Sequence, residues 1–385
     1  MPARPANRTP SPFPRRFARP APHRESGPAP GELLPFKHPA GKARMDLKDY
    51  FPAADLAAIR TFGSLSFHAM GDSGMGTVAQ HDVANAMSRD IDHQHPERGP
   101  AFLLHLGDII YGPDKKAGYA NRFYRPNENY RNLIFAIPGN HDGEIRSAME
   151  RSSLEAYFLN FCQPAGQQPP LAQSFGTAMP NQPGAYWRLT APFVDIIGLY
   201  SCTGENYGAI AHEEIGDRQK TWLLKTLKDI AQERTAGPRQ ALLFAVHHPP
   251  YASGLQSGGF GHPGNPDMLA DIDACCTGAG VWPDAVLSAH SHQYQRYTRA
   301  LTIGGKTRMI PYLIAGGGGI GTQNAPQPIG TKVDEVTYEN GVESHGYLTV
   351  TVSATKLTIT STKAVGNHRD IFETKVLDLA TGQFL

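Results

Sequence analysis

Five short segments of the sequence place aspartate, asparagine or histidine directly after an apolar run. Carboxylate, amide, imidazole and phenol groups are ligands that hold metal ions in proteins. Two such ions about 3.5–4 Å apart neutralise the oxygens of a phosphate ester and activate water for attack. The candidate ligands are Asp72, Asp108, Tyr111, Asn140, His247, His290 and His292, with His141 as a candidate catalytic group. The residue types therefore predict a two-metal centre suited to phosphate esters.

Each segment is weak evidence when it is considered alone. A Gly-Asp pair commonly caps a loop, and Asn140-His141-Asp142 could be a polar turn. The shared setting makes the segments informative, because ligands gather at the carboxyl ends of strands in α/β folds. The glycines before Asp72, Asp108 and Asn140 are expected to allow tight turns that project each ligand from its strand.

The elements that must carry these residues alternate in type along the chain. Apolar runs predict strands at 65–70, 101–106, 132–137, 242–246, 285–288 and 310–315, with two more within 186–199. Helical patterns lie at 77–91, 153–161 and 217–232. Three antiparallel strands are predicted at 347–352, 357–361 and 371–377. Alternation followed by a cluster of strands predicts an α/β fold with mixed sheets.

Composition separates a basic N-terminal segment from the rest of the chain. The 385 residues are 40% hydrophobic and have a net charge of +1, which favours neither a nucleic-acid nor a membrane partner. Residues 1–44 hold nine Lys or Arg and two acidic residues. We therefore predict a disordered Pro/Arg-rich tail and lead-in helix at 1–60, followed by one domain at 61–385.

The sequence also bears on the cellular compartment. It contains no apolar run as long as a transmembrane helix, and Arg15-Arg16 is not followed by the apolar stretch of an export signal. The four cysteines, Cys162, Cys202, Cys275 and Cys276, form no Cys-x-x-Cys pair. We predict a cytoplasmic protein, with periplasmic export as the alternative, and leave the oligomeric state open.

Taken in order, the five segments resemble the motif blocks of the calcineurin-like metallophosphoesterases, and they are most similar to those of the purple acid phosphatases. The resemblance covers about residues 62–365. It implies a four-layer α/β/β/α sandwich, in which two mixed β-sheets are flanked by helices. It also implies that the metals lie at one edge of this sandwich.

One half of the implied centre is a ferric site. The resemblance implies Asp72, Asp108, Tyr111 and His292 as its ligands, with Asp108 bridging to the second metal. Many relatives have histidine two residues after the first aspartate, where this chain has Gly74. A phenolate from Tyr111, three residues after Asp108, would replace that nitrogen and is a hard donor that favours Fe(III).

The other half of the implied centre holds a divalent metal, either iron, zinc or manganese. Asn140, His247 and His290 resemble its ligands, and His141 resembles the residue that stabilises the transition state or protonates the leaving oxygen. One departure from the family pattern is Ala289, where glycine usually precedes His-x-His.

Two further histidines are weaker candidates for contact with substrate. His247 is preferred to His248 as the ligand because the family spacing is His-x-Pro and Pro249 follows His248. His248 is then expected to face the substrate or to support a ligand. His262 lies in a glycine-rich segment, 257–264, that could form the rim of the pocket.

A run of glycines at 316–319 follows the predicted strand 310–315. It lacks the Gly-Lys-Ser/Thr ending of a phosphate-binding loop, so we interpret it as a close-packed turn.

The resemblance implies hydrolysis of a small-molecule phosphate monoester at acid pH, by a hydroxide that an Fe(III)–M(II) centre holds. A phosphodiesterase or nucleotide pyrophosphatase with the same two metals is the first alternative. A catalytically silent metal-binding scaffold is the second. A scaffold would be expected to have lost a ligand or His141, whereas all of these positions are filled.

Overall fold

A computed structural model of the chain describes residues 36–145, 152–201, 208–211, 216–253, 262–324 and 327–385. The first strands are β1 (Arg44–Asp46), β2 (Ser64–Met70), β3 (Pro100–His105), β4 (Leu133–Ala136), β5 (Trp187–Ala191), β6 (Val194–Leu199), β7 (Ala241–Val246) and β8 (Ala285–Ser288). The later strands are β9 (Tyr294–Ile303), β10 (Lys306–Ala315), β11 (Lys332–Val333), β12 (Val336–Val342), β13 (Gly346–Ser353), β14 (Lys356–Val365), β15 (His368–Asp378) and β16 (Gln383–Phe384). The α-helices are α1 (Ala53–Phe62), α2 (Val78–Ser88), α3 (Lys115–Tyr119), α4 (Asn140–Gly143), α5 (Glu155–Phe161), α6 (Pro170–Phe175), α7 (Arg218–Ala236) and α8 (Pro266–Ala279).

The strands form two mixed sheets. The nine-stranded sheet has the order β1-β5-β6-β7-β8-β10-β9-β12-β11, and the seven-stranded sheet has the order β16-β15-β14-β13-β2-β3-β4. Strands β6, β7, β8 and β10 run parallel in the first sheet. Strands β2, β3 and β4 run parallel in the second. Each sheet therefore has a parallel part whose strands all end at the same edge.

Alternating side chains of the strands build the layers. In β7, Leu243 and Ala245 belong to the core between the two sheets, and Leu242, Phe244 and Val246 belong to the core beneath α7 and α8. This follows from the strand period of two, which points neighbouring residues to opposite faces. Such a strand is apolar on both faces, as expected of a parallel strand covered on both sides.

The seven-stranded sheet repeats this arrangement with its own helices. Leu103 of β3 and Ile134 of β4 pack with Val83 of α2 and Tyr157 of α5 in a third buried cluster. The order of layers is therefore helices, nine-stranded sheet, seven-stranded sheet and helices. This confirms the predicted four-layer sandwich of two mixed sheets.

Part of the segment predicted as a disordered tail and lead-in helix, residues 36–60, packs on the rest of the chain. Strand β1 pairs with β5, and Met45 and Leu47 are buried in the core between the sheets. Leu56 and Ile59 of α1, which corresponds to the lead-in helix, join the same core. The predicted boundary therefore falls inside α1, because the apolar residues after residue 44 bury surface that the Pro/Arg-rich part lacks. Residues 1–35 lie outside the described residues.

The structure also bears on cysteines and membranes. Within the described ranges, Cys162, Cys275 and Cys276 have free thiols, and Cys202 lies outside them. None of the helices in those ranges has the length and hydropathy needed to cross a membrane.

Candidate metal centre

The predicted ligands meet where the parallel strands of both sheets end. Asp72, Asp108 and Asn140 follow β2, β3 and β4 of the seven-stranded sheet. His247 and His290 follow β7 and β8 of the nine-stranded sheet. One sheet thus supplies oxygen donors and the other supplies imidazoles, and the site lies at the seam between them.

The turns that carry the ligands are under backbone strain. Asp72, Asp108 and His290 have φ angles of 59°, 53° and 66°, in the left-handed region that side chains other than glycine rarely adopt. Such strain persists only where surrounding contacts hold it, and it is concentrated at functional sites. At Asp72 and Asp108 the aspartate itself therefore adopts the left-handed turn conformation.

Of the three glycines that precede oxygen ligands, only Gly107 has a positive φ, of 99°. Gly139 is needed for close approach instead, because a Cβ atom there would lie 2.2 Å from Asp108 Oδ1. Gly71 has the same role, since its Cβ would lie 2.5 Å from the Cβ of Ala289. The prediction that these glycines allow tight turns is thus right for Gly107, and at Gly71 and Gly139 the reason is space.

One group of donors surrounds Asp72, and we call it the tyrosine half. The Tyr111 hydroxyl donates to Asp72 Oδ1 at 3.1 Å and lies 3.5 Å from His292 Nε2. His292 Nε2 is 3.6 Å from Asp72 Oδ1. The other ring nitrogen, Nδ1, is 3.1 Å from the carbonyl oxygen of Gly321, which can only accept. Nδ1 therefore carries the proton, and Nε2 turns its lone pair toward Asp72 and Tyr111.

The second group surrounds His247, and we call it the asparagine half. His247 Nε2 lies 3.1 Å from Asn140 Oδ1 and 3.4 Å from Asp108 Oδ1. Ligand atoms of Asp108, His247 and His290 all lie within 4.8 Å of one another. His247 Nδ1 is 2.8 Å from the carbonyl oxygen of Leu106, which orients the ring with Nε2 toward the other donors.

The charges of the site suit a cation. Burial raises the pKa of Asp72 to about 8, and repulsion from the Asp108 carboxylate acts in the same direction. Burial would lower the pKa of His247, but the Asp108 and Asp72 carboxylates outweigh it and raise this pKa to about 9. Protons on Asp72 and His247 thus compensate the negative charge of the buried carboxylates. Metal ions bind a group of side chains like this one by displacing such protons. The oxygen and nitrogen donors present fit a pair of metal ions.

His141 lies beside both halves. Its backbone N–H donates to Asp108 Oδ1 at 2.9 Å, and its ring Nε2 is 4.0 Å from Asp108 Oδ2. Its ring centroid is 4.4 Å from that of Tyr111. On the far side of the ring, Nδ1 lies 3.2 Å from Glu144 Oε2. A carboxylate that faces one ring nitrogen orients the ring and favours a proton on it. Sequence reasoning did not identify Glu144.

Asp142 is a second residue whose role the sequence did not reveal, although it belongs to the motif Asn140-His141-Asp142. Its buried carboxylate accepts backbone N–H groups of Ile109 and Ile110 at 3.1 Å each, and of Gly139 at 2.8 Å. Burial raises the pKa of Asp142 to about 6. The side chain ties the Asp108 turn to the Asn140 turn. An aspartate three residues after a glycine at a strand end was the available signal.

The two weaker candidates also lie at the centre. The rings of His248 and His262 are each 4.2 Å from the ring of His290. His248 Nδ1 is 2.8 Å from the hydroxyl of Ser201. Burial lowers the pKa of His262 to about 4, so its ring is neutral above that pH. Residues 257–261 of the glycine-rich segment lie outside the described residues.

The fold and these donors are of the kind that a metal-dependent phosphoesterase requires. Comparison with known families matches residues 65–294 to the calcineurin-like phosphoesterases, and the chain belongs to this family. The buried group Asp108, His247 and His290 is one that could hold a metal ion, as a metal-dependent member of this family requires. Comparison with curated proteins gives no sequence match.

Two solved structures share the fold. A purple acid phosphatase from yellow lupin (Lupinus luteus) seeds is 15% identical, with a TM-score of 0.56, and the match covers 82% of this chain and 54% of the lupin chain. The anchor of the inner membrane complex of Plasmodium is 14% identical, with a TM-score of 0.55, and the match covers 82% of this chain and 89% of that protein. The chain thus spans about half the length of the lupin enzyme.

Proposed function

We propose that this enzyme is a phosphomonoesterase of the purple acid phosphatase type, with a Fe(III)–M(II) centre. The observation that carries the proposal is the position of the Tyr111 hydroxyl, which lies 3.1 Å from Asp72 Oδ1 and 3.5 Å from His292 Nε2. A phenolate at this point is a hard anionic donor, and such donors favour Fe(III) over softer divalent ions.

Gly74 supports the same choice of metal. A Cβ atom on Gly74 would lie 2.1 Å from the carbonyl oxygen of Ile109, so no side chain fits at this position. The histidine that many relatives place two residues after the first aspartate is therefore sterically excluded. The Gly74 carbonyl instead accepts the backbone N–H of Tyr111 at 3.0 Å, which places the phenol next to Asp72.

The chain's own residues would divide the work between the two halves. Asp72, Tyr111 and His292 would hold the ferric ion. Asn140, His247 and His290 would hold a divalent iron, zinc or manganese ion. Asp108 would bridge the two ions and complete the ligand set. The bound pair would supply Lewis-acid stabilisation and lower the pKa of a water molecule.

His141 would act on the leaving oxygen. Glu144, 3.2 Å from its Nδ1, orients the ring so that Nε2 faces Asp108 and the open side of the site. A protonated imidazole there donates a proton to the leaving group or stabilises its charge. We place His248 and His262 against the substrate, because both rings pack on His290 at the centre.

Visible absorption of the purified protein tests the ferric assignment. Fe(III) bound to a phenolate gives a charge-transfer band, so the protein should be pink or purple and contain iron. Tyr111→Phe should bleach the colour, and Tyr338→Phe, on β12, is the control that should not. A colourless, fully active protein that contains only divalent metal would contradict the ferric assignment. The proposal of phosphoesterase activity would still stand.

Activity toward different phosphate esters tests the reaction. We expect hydrolysis of monoesters at mildly acid pH, with a loss of about a thousandfold or more in Asp108→Ala, because the bridging ligand serves both metals. A preference for diesters or nucleotide pyrophosphates would move the protein to the first alternative. Activity that is absent in the metal-loaded wild type would favour the scaffold alternative, and the Plasmodium protein that shares this fold is an anchor.

A further inference from the structure

The glycine run after β10 crosses the seam between the sheets and contacts both motifs of the tyrosine half. The Gly71 N–H donates to the carbonyl of Ala315 at 2.8 Å, and the Gly318 N–H donates to the carbonyl of Gly71 at 3.0 Å. The Ile320 N–H then donates to the carbonyl of Asp72 at 3.0 Å. This part of the chain therefore pairs with the backbone that carries Asp72, as an added strand would.

The same segment contacts the motif that carries His292, which belongs to the other sheet. The Gly316 N–H donates to the carbonyl of Gln293 at 3.1 Å, and the Gln323 N–H donates to the carbonyl of His292 at 3.0 Å. The Gln323 side-chain oxygen accepts the His292 N–H at 3.2 Å. Gly321 supplies the carbonyl that orients the His292 ring. We call residues 316–323 the bridging segment.

Close packing explains why the run consists of glycine. A Cβ atom on Gly316 would lie 2.2 Å from the carbonyl oxygen of Ser291 and 2.8 Å from Asp72 Oδ2. A Cβ on Gly318 would lie 2.2 Å from the carbonyl oxygen of Gly71. By contrast, a Cβ on Gly321 would have no atom within 4 Å. The space is thus restricted where the segment passes between the two motifs, as the predicted close-packed turn requires.

A further contact ties the run to α2. The hydroxyl of Thr77, the N-cap residue of α2, accepts the Gln80 N–H at 3.1 Å and donates to the carbonyl of Gly319 at 2.6 Å. Gly319 packs against Gln80, where its Cβ would lie 2.5 Å from the Gln80 Cβ. The segment is therefore held on the side away from His292 as well, and its position is fixed.

The asparagine half is positioned by other residues. Asp142 ties the Asp108 and Asn140 turns together, and the Leu106 carbonyl orients His247. None of the hydrogen bonds that the described part of the bridging segment makes reaches Asn140 or His247. The hydrogen bonds of the bridging segment thus support the tyrosine half and not these two residues, although the halves also touch directly where the His290 N–H donates to Asp72 Oδ2.

We propose that the bridging segment is the positioning element of the tyrosine half and sets the affinity of that half for its metal ion. The inference rests on the proposed two-metal centre. Because Asp72 and His292 come from different sheets, an element whose backbone is bonded to both helps to fix their separation. Groups that support metal ligands in this way typically change metal affinity by about 10- to 100-fold when they are removed.

Metal content and resistance to a chelator test the proposal. In Gly316→Ala, whose methyl group would displace Asp72 or Ser291, we expect the purified protein to retain about one metal per chain and to lose the Tyr111-dependent absorption. Gly237→Ala, at the end of α7 where the nearest atom to the Cβ is 3.8 Å away, is the control and should retain two.

Gln323→Ala provides a milder second variant in case the first fails to fold. It removes the acceptor of the His292 N–H, so one metal ion should be lost at an EDTA concentration about 10- to 100-fold lower than in wild type, while the second is retained. Circular dichroism of the metal-free variants checks the fold. Two metals with wild-type resistance to EDTA in both folded variants would overturn the proposal. A wild type that binds no metal pair would instead overturn the proposed function.

Discussion

The two sheets contribute different chemistry to one site. The seven-stranded sheet ends in Asp72, Asp108 and Asn140, which offer oxygen, and the nine-stranded sheet ends in His247 and His290, which offer nitrogen. The oxygen donors that bring charge lie on turns with left-handed backbone. Among the proposed ligands, neither edge alone supplies both the oxygen and the nitrogen donors.

Each sheet orients ligands of the other. The Leu106 carbonyl, after β3, accepts from His247 Nδ1 at 2.8 Å. The backbone N–H of His290, after β8, donates to Asp72 Oδ2 at 2.7 Å. The centre therefore depends on the docking of the two sheets, because ligand orientation on one side is fixed by backbone groups on the other.

Among the variants that distinguish the two sheets, loss of a proposed nitrogen ligand should have the largest effect. We expect His247→Ala to lower kcat/KM by more than about 100-fold, since it removes a proposed ligand and a hydrogen bond between the sheets. If iron is bound, the Tyr111-dependent absorption should remain, because the tyrosine half keeps its donors. His368→Ala, on the exposed start of β15, is the control for both measurements. A loss below tenfold would show that the nitrogen side is dispensable.

Removing the support of the oxygen side should mainly affect stability. Asp142→Ala would leave three buried backbone N–H groups without their acceptor, at about 1–3 kcal/mol each. We therefore expect the free energy of unfolding to fall by at least about 3 kcal/mol, measured by urea denaturation.

Asp92→Ala is the matched control for Asp142→Ala, because Asp92 also accepts two backbone N–H groups but lies at the surface. Water can hydrogen-bond to these N–H groups in place of the Asp92 carboxylate. The urea denaturation midpoint of Asp92→Ala should therefore shift little. Equal shifts in the two variants would refute the role of Asp142.

Docking of the sheets can be weakened away from the metals. Arg296 of β9 pairs with Glu373 of β15 through two hydrogen bonds of 2.9 Å, and both side chains are largely buried. Arg296→Met should cost about 3 kcal/mol, because Glu373 would remain buried without its cation. The double variant Arg296→Met/Glu373→Leu should recover most of this loss in a urea titration. If the double variant does not recover this stability, the Arg296–Glu373 pair stabilises the fold by more than the neutralisation of each buried charge by the other.

The smallest effect concerns pH. Burial opposes ionisation of Glu373, but the Arg296 and Tyr294 hydrogen bonds outweigh it and hold its pKa below the ordinary value of 4.5. The unfolded chain then binds the proton more readily than the folded one. The stabilisation of the fold by ionised Glu373 is therefore complete above pH 4.5. It is lost as the pH falls through the pKa of Glu373 in the folded protein. Unfolding midpoints of Glu373→Gln should depend less on pH in this range than those of wild type.

Local sequence was enough to predict the class of fold and the residues that gather. The run 242–246 is apolar on both faces, and the runs 65–70 and 101–106 are apolar on one face and mostly apolar on the other, so each is readable as a strand without its neighbours. The ligands follow directly in sequence, and ends of parallel strands meet at one edge. Membership of the family was readable for the same reason, because each motif is local.

Strand β9 was not predicted because its polar residues are buried. Gln295, Arg296 and Arg299 lie inside, and the two arginines are satisfied by Glu373 and Asp273 from distant parts of the chain. A pattern that assigns charged residues to the surface cannot recognise such a strand, since the partners become visible only in the folded protein.

The groups that support the ligands became apparent only once the chain was folded. Asp72 and the His290 N–H that contacts it are 218 positions apart in sequence, and Gln323 contacts His292 from a separate loop. Local patterns carry no information on such pairs, because the separation is set by how two sheets pack. The proposed ligands could therefore be predicted from the individual strands, whereas their orientation is set by the contact between the two sheets.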